Sequence, residues 1–260
     1  MKVIRRYAGA QTVDRSCMLL KEIAHHGASG ARLVDLTAAS GLARPTVQRI
    51  LQSLMASEFV CRPSGRKRYK IGVGIYGLGL SAQGPIERLA ELRVLLEGLA
   101  SRTGDTAHLM LRRGDEMLCV ARSEGATPIR TYMIEVGALK PIGATIPGIT
   151  LLAAMGDDEV EGILRRTTSA MASFRNATPQ YARQQIACVR RDGFCISNNV
   201  FVEGATGISA SVPSNDGPPC LAVALSAIAS RIPKNRVKPL AQDIMRTCAE
   251  MAKVLNRQAD

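Results

Sequence analysis

"ARPTVQRILQSLMASEFVCRPSGRKRYKIG", residues 43–72, begins as an amphipathic helix and ends in a cluster of cations around one glycine. Val47, Ile50, Leu51 and Leu54 recur at i, i+3, i+4 and i+7, which predicts a helix with one apolar face, and Pro45 suits its first turn. The opposite side presents Pro45, Gln48, Arg49 and Gln52, with Arg44 at the entry and Thr46 beside them. Arginine bonds bidentately to guanine and glutamine to adenine in the major groove of DNA, and a helix that serves only a core has no need of these groups together. Thr46 has a hydroxyl for a phosphate and a methyl for a thymine. In the second half, "EFVCR" and "RYKIG" read as short strands joined by "PSGRK". That hairpin gathers Arg62, Arg66, Lys67, Arg68 and Lys70 around Gly65, and cations so placed displace condensed counterions from phosphates without reading sequence.

Upstream, "VDRSCMLLKEIAHHG" predicts a first helix, with Val13, Cys17, Leu20 and Ala24 as its stripe and Gly27 as its stop. "ARLVDLTAASG" predicts a second, with Leu33, Leu36 and Ala39 on one side and Gly41 as terminator. Only "SGLA" separates it from the third, so the two must turn sharply against each other, as helix-turn-helix units do. Three helices and a basic hairpin make a winged helix-turn-helix DNA-binding domain over residues 9–72. Residues 73–83, "VGIYGLGLSAQ", read as a linker helix, with the domain boundary near Gln83. Gly74, Gly77 and Gly79 in that helix admit two readings, reorientation of the connection or close packing at an interface.

From residue 84 to 260 the pattern becomes mixed. "PIERLAELRVLLEGLASRTG" is a helix striped by Ile86, Leu89, Leu92, Leu96 and Leu99. "TAHLMLRRGDEMLCVAR" is a strand, a Gly-Asp turn and a strand, and "RTYMI" is a candidate third. "IPGITLLAAM", "DDEVEGILRR" and "PQYARQQIACVRRDG" read as helices; "FCISNN", "GISASVP" and "PCLAVALSAI" as strands; "PLAQDIMRTCAEMAKVLNR" as a last helix. Hairpins separated by helices predict an antiparallel sheet with helices packed on it, and so an α+β chain.

Charge follows the same division. Residues 1–80 carry 13 Lys+Arg against 4 Asp+Glu, a net of +9 out of the chain's +12. A polyanion is the natural partner of that segment, although an anionic membrane surface fits charge alone. With 46% hydrophobic and 22% charged residues the chain is globular, and no window approaches about 18 uninterrupted apolar residues. The N-terminus lacks the apolar core of a signal peptide. Seven cysteines without a CxxC pair point to a reducing cytoplasm. His25, His26 and His108 share no metal-ligand spacing with a cysteine, Cys195 has no His/Asp arrangement near it, and the glycines of "GVGIYGLG" do not match a nucleotide loop. No catalytic residue, metal site or cofactor is expected.

The order and spacing of several segments resemble the IclR-type family of bacterial transcription factors, the isocitrate lyase regulators. "LVDLTAASGLARPTVQRILQSL" resembles the family's second and third helices, "RYKIG" its wing, and "TGDTAHLMLRRGDEMLCVAR" the opening of its ligand domain. "LKPIGATIPGITLLA", "RRDGFCISNNVFVEGATGISASVP" and "PCLAVALS" resemble the segments beside its ligand. The resemblance implies a winged helix-turn-helix domain joined by a helical linker to an α/β effector domain with a mainly antiparallel, GAF/PAS-like sheet over 84–260. It implies a double-stranded DNA operator, a small-molecule effector and a homodimer or dimer-of-dimers tetramer, with no membrane partner. Carried over by position, the effector site would draw on Gly143, Ala144, Thr145, Ile146 and Pro147, on Ser197, Ala205 and Gly207, and on Ala224 and Ser226. The chain departs from the family where acidic residues are usual, near Asn198 and Asn199. Gly207 replaces a frequent cysteine and Ala224 one of two usual serines. Those departures predict a roomier, more apolar pocket for an aromatic or otherwise bulky carbon-source metabolite, and control of a catabolic operon. Arg122 and Arg130 admit two readings, cations for a carboxylate or solvated residues of their strands. Two other readings remain: a small-molecule enzyme in the C-terminal domain with a DNA-tethering N-terminal domain, and a nucleoid protein with no effector.

Overall fold

In the computed structural model, Leu19 and Ile23 lie one turn apart on α1 (Gln11–His25) and are fully buried, and the N-terminal unit closes around them. The structure describes residues 10–63, 65, 67–81, 87–127, 134–215 and 217–257, and it divides into two compact units, Met1–Glu87 and Arg88–Asp260. The inward face of α1 is therefore not the expected stripe. Val13, Cys17 and Ala24 are exposed, because the buried row of Leu19 and Ile23 lies at least about 100° round the helix from them. α2 (Leu33–Ser40) contributes Leu36, and α3 (Arg44–Ala56) buries the four residues its periodicity predicts, Val47, Ile50, Leu51 and Leu54. Each such aliphatic side chain taken out of water contributes about 1.5–3 kcal/mol.

The turn between α2 and α3 is made possible by Gly41, which adopts the left-handed conformation at φ +64° and whose N–H donates to Thr37. At the other end of α2, the Asp35 carboxylate accepts from the Arg32 backbone N–H at 3.1 Å and pairs with its guanidinium at 2.8 Å. That arginine pulls the Asp35 pKa down to about 2. Residues 31 and 32, read from sequence as the start of the second helix, form the short strand β1 (Ala31–Arg32). It pairs with β3 (Arg68–Ile71), which also pairs with β2 (Val60–Cys61), all antiparallel. Two residues show no alternation of their own, and β1 exists because Tyr69 and Arg68 lie opposite it. The connecting helix α4 (Val73–Leu80) belongs to this unit. A Cβ at Gly74 would lie 2.9 Å from the Ser57 carbonyl, so that glycine serves close packing, whereas nothing lies near Gly77 or Gly79.

In the C-terminal unit six strands form one antiparallel sheet: β4 (Thr106–Arg113), β5 (Glu116–Ser123), β6 (Leu139–Pro141), β7 (Cys195–Asn198), β8 (Ala205–Ser211) and β9 (Leu221–Ile228). Their spatial order is β6-β5-β4-β9-β8-β7. The candidate strand "RTYMI" lies almost wholly outside the described residues. α5 (Leu89–Thr103) and α9 (Lys234–Leu255) cover one face, burying Leu92, Leu96, Leu99, Ile244 and Met251 against Leu109, Val223 and Leu225. α9 starts five residues before Pro239, the residue from which sequence predicted it. α6 (Ile146–Ala153), α7 (Asp157–Met171) and α8 (Pro179–Asp192) cover the other face, where Met110, Met117, Cys119 and Ala222 meet Ile149, Leu152, Ile163 and Ile186. This is an N-terminal helix-turn-helix domain and a C-terminal α/β domain on an antiparallel sheet.

Candidate functional site

Because α3 turns Val47, Ile50, Leu51 and Leu54 inward, its other side is left to water: Arg44, Pro45, Gln48, Arg49 and Gln52 are exposed and Thr46 is half-buried. No aromatic or aliphatic side chain interrupts that row, so it can enter a groove edge-on. Thr46, Arg49 and Ser53 also line a shallow polar depression with Thr12, Arg15 and Ser16 of α1. Two guanidinium groups and four hydroxyls converge there, which suits a phosphate next to the helix that reads the groove. The α1 residues were not anticipated, since that helix was read only for its apolar stripe. The signal was present in the unbroken polar sequence Thr12, Arg15, Ser16 at helical spacing.

The hairpin cations do not all do the same thing. The Arg62 guanidinium stands over the Tyr69 ring, 5.6 Å from its centroid, which fixes a charge on a rigid support. Arg68 donates from Nη1 to the Gly30 carbonyl at 2.9 Å, so it ties the wing to the turn before α2. Lys67 is exposed and Lys70 half-buried, its stem close against Gly30. Arg66 lies outside the described residues. Gly65, at φ +74°, supplies the turn. Of the four described, Lys67 and Arg62 are the exposed cations placed to meet a polyanion.

The C-terminal unit contains a cavity of about 110 Å³ between the sheet and the segment that leads into α6. One water needs roughly 10–15 Å³, so the space admits a ligand of several heavy atoms. Ala144, Thr145, Ile146 and Pro147 form one wall, and Ser197, Ala205, Gly207, Ala224 and Ser226 form the floor. Register explains the floor: Ser197 pairs with Gly207 and Gly207 with Ser226, so three small residues sit in one row across β7, β8 and β9. Gly143 is not among the lining residues. A Cβ there would meet Met171 Sδ at 2.7 Å, so this glycine lets the wall pack on α7.

Gly207 does not enlarge the cavity as its sequence predicts. Ile146 Cδ1 occupies the place of the missing side chain, 2.7 Å from where a Cβ would stand, and the isoleucine thereby becomes part of the wall. Thr145 caps α6, its hydroxyl accepting from Gly148 N–H at 3.1 Å. Asn198 and Asn199, which stand where acids are usual in the resembled family, are engaged locally. Asn198 Oδ1 accepts from the Thr206 hydroxyl at 2.9 Å and Asn199 Oδ1 from Gly204 N–H at 2.7 Å, so they shape the loop between β7 and β8.

Further lining residues come from elements that sequence did not bring together: His108 and Met110 of β4, Lys140 of β6, Phe174 after α7, and Phe201 and Val202 after β7. Lys140 Nζ stands 4.6 Å from the centroid of the Phe174 ring, and Phe201 packs edge-on against Tyr181 at 5.6 Å. Among the described residues the lining is aromatic at its rim and carries one cation, Lys140, a chemistry for a flat apolar acid. Burial pushes the pKa of His108 down to about 4, helped by the charge of Arg122 opposite it on β5, so the imidazole is neutral. Arg122 pairs with Glu124 at 2.9 Å and does not line the cavity, and Arg130 lies outside the described residues. Burial also pushes the Cys119 thiol up to about 11 and raises that of Cys195, which makes both poor nucleophiles. Among the described residues no three His, Cys, Asp or Glu side chains converge as a metal site, and no helix is long and apolar enough to cross a membrane.

A family model described as the IclR helix-turn-helix domain matches residues 12–63, and one described as the bacterial transcriptional regulator IclR C-terminal matches residues 86–253. The HTH-type transcriptional regulator XynR of Escherichia coli (strain K12) is 24% identical over 225 residues, covering 85% of this chain and 88% of that one. The crystal structure of an IclR transcriptional regulator from Alicyclobacillus acidocaldarius superposes with a TM-score of 0.81 at 20% identity, over 95% of this chain and 99% of that one. That of an IclR homolog from Microbacterium hydrocarbonoxydans, complexed with 4-hydroxybenzoate, gives 0.78 at 17% identity, over 94% and 98%. At these identities the two structures speak for the fold.

Proposed function

This chain belongs to the IclR family of bacterial transcriptional regulators, and on that premise we propose that a small organic effector, held in the C-terminal cavity, sets its affinity for a DNA operator. α3 enters the major groove, where Arg49, Gln48 and Gln52 read base edges and Arg44 and Thr46 position the helix. Lys67 and Arg62 of the wing hold phosphates, and Arg15 of α1 holds another. The observation that carries the effector class is the cavity's composition among the described residues: a small-residue floor, Phe174 and Phe201 at the rim, and Lys140 as a cation. Such walls favour an aromatic or similarly bulky carbon-source acid, whose uptake would call for a catabolic operon. The complex of the Microbacterium hydrocarbonoxydans homolog with 4-hydroxybenzoate supports that class.

The working form is a cytoplasmic homodimer, or a tetramer built from two, because one recognition helix covers only a half-site. An effector alters the regulator's output only as far as it binds one arrangement of the dimer more tightly than the other. Turnover of a small molecule finds no support in the C-terminal unit, where the buried thiols are protonated and the one cavity histidine is neutral with no carboxylate among the lining residues.

Selection of bound duplexes from a randomised pool by the full-length chain tests the DNA half of this reading. The expected product is an inverted repeat whose half-sites are about 10–10.5 base pairs, or a multiple of that, apart. Recovery of the pool without enrichment would identify a protein that binds DNA by charge alone.

A further inference from the structure

His108 stands in the middle of β4, paired across the sheet with Ala224 of β9 on one side and Arg122 of β5 on the other. It borders the cavity, is 2% exposed, and its Nε2 has no hydrogen-bond partner among the described residues. A buried polar atom left in that state is unfavourable, and a hydrogen-bonding group entering the cavity would relieve it. Ala224 is too small to shield the ring from the cavity and has no polar side-chain atom to offer it.

The charged groups around it restrict what that partner is. Arg122 faces His108 and holds the ring neutral together with burial, while its own charge is engaged by Glu124. Lys140 is the cation of the lining, and it lies on β6, with β5 between it and β4. A neutral imidazole has one donor and one acceptor nitrogen, and the ring already donates to the backbone of Ile134, so the open Nε2 is the acceptor and calls for a partner with a proton to give. A carboxylate is acceptor-only and would be buried beside His108 without a cation of its own, whereas a hydroxyl both gives and accepts a hydrogen bond and carries no charge to desolvate.

We propose that His108 is a specificity-determining residue of the effector site, hydrogen-bonding an uncharged hydroxyl on the buried end of an acid whose carboxylate lies toward Lys140. The proposal rests on the effector reading above and narrows it to hydroxy-substituted acids. It also gives a reason for a histidine in a strand position otherwise suited to an apolar residue, as Met110 is two residues along on the same face. A site built to hydrogen-bond a hydroxyl discriminates against the analogue that lacks it, because its own polar group is then left unpaired.

The probes are benzoate and 4-hydroxybenzoate, identical but for one hydroxyl, titrated calorimetrically into the full-length chain and into His108→Phe and His108→Gln. The full-length chain is expected to bind 4-hydroxybenzoate at least tenfold more tightly than benzoate. In His108→Phe the two affinities should converge with benzoate binding retained, which also shows that the variant is folded. His108→Gln, which keeps a polar acceptor, should restore part of the preference. Equal affinities in the unaltered chain, or a preference that survives in His108→Phe, would overturn the role of His108 and leave the effector site standing. If neither probe binds while operator binding is intact, the aromatic-acid reading falls, and the role of His108 with it.

Discussion

Replacing Arg49 by Ala is expected to lower discrimination at one base pair of each half-site by about 1–3 kcal/mol, the worth of a bidentate arginine–guanine contact. Arg49 is exposed on α3 and faces away from the apolar row Val47, Ile50, Leu51 and Leu54, so the fold of the N-terminal unit is untouched by the change. Lys67→Ala should behave differently. Lys67 is exposed where the chain enters β3, and as a charge offered to phosphates its loss should weaken all sequences similarly. It should also reduce the slope of log affinity against log salt by about 0.9 for each phosphate contact removed. Fluorescence anisotropy on the selected site and on single-base variants separates the two cases. If both substitutions lowered affinity uniformly, Arg49 would be a phosphate contact, as its place beside Arg15 in the polar depression also permits.

Acidification should destabilise the C-terminal unit through His108 over the interval from pH 6.5 down to about 4, the ordinary and the folded values of that imidazole. Above 6.5 the ring is neutral in both states and adds nothing to the slope. Below it the unfolded chain takes up a proton that the folded chain refuses, so stability falls by about 1.4 kcal/mol per pH unit, to a total of about 3 kcal/mol. Below about 4 the folded state is protonated as well and the slope ends. Urea unfolding followed by circular dichroism across this range should show the loss in the unaltered chain and not in His108→Phe. Carboxylates such as Asp35 and Asp243 titrate in both proteins, so the difference between the curves isolates the histidine. Parallel curves would mean that His108 reaches water or a proton donor in the folded state.

How far the residues announced these features depended on whether a local pattern or a distant partner decided them. α3 was legible because its four core residues form one unambiguous row. In "VDRSCMLLKEIAHH" two apolar rows compete, at least about 100° apart round the helix, and only contact with the rest of the unit selects Leu19 and Ile23 over Val13, Cys17 and Ala24. The task of Arg68 is set by a carbonyl 38 residues away and could not be read from a run of cations.

The cavity shows the same contrast. The segments carrying Ala144 to Pro147, Ser197, Ala205, Gly207, Ala224 and Ser226 do converge on it. His108, Lys140, Phe174 and Phe201 were invisible as a group, because the sheet order β6-β5-β4-β9-β8-β7 interleaves early and late strands and brings together positions with no spacing in common. The sequence around His108 shows only that it has no metal-ligand spacing; its burial and unpaired Nε2 exist only in the folded sheet. Gly143 and Gly207 both look like sites of open space in sequence, yet Met171 and Ile146 fill the space beside them.

Coupling between effector and operator is measured most directly as the operator affinity of the full-length protein with and without a saturating aromatic acid that binds it. An effector-responsive regulator should shift its operator affinity by about 5–150-fold, a coupling of about 1–3 kcal/mol, and operator DNA should shift the acid's affinity by the same factor. An acid that binds in the cavity and leaves operator affinity unchanged would contradict the central claim that this site controls DNA binding.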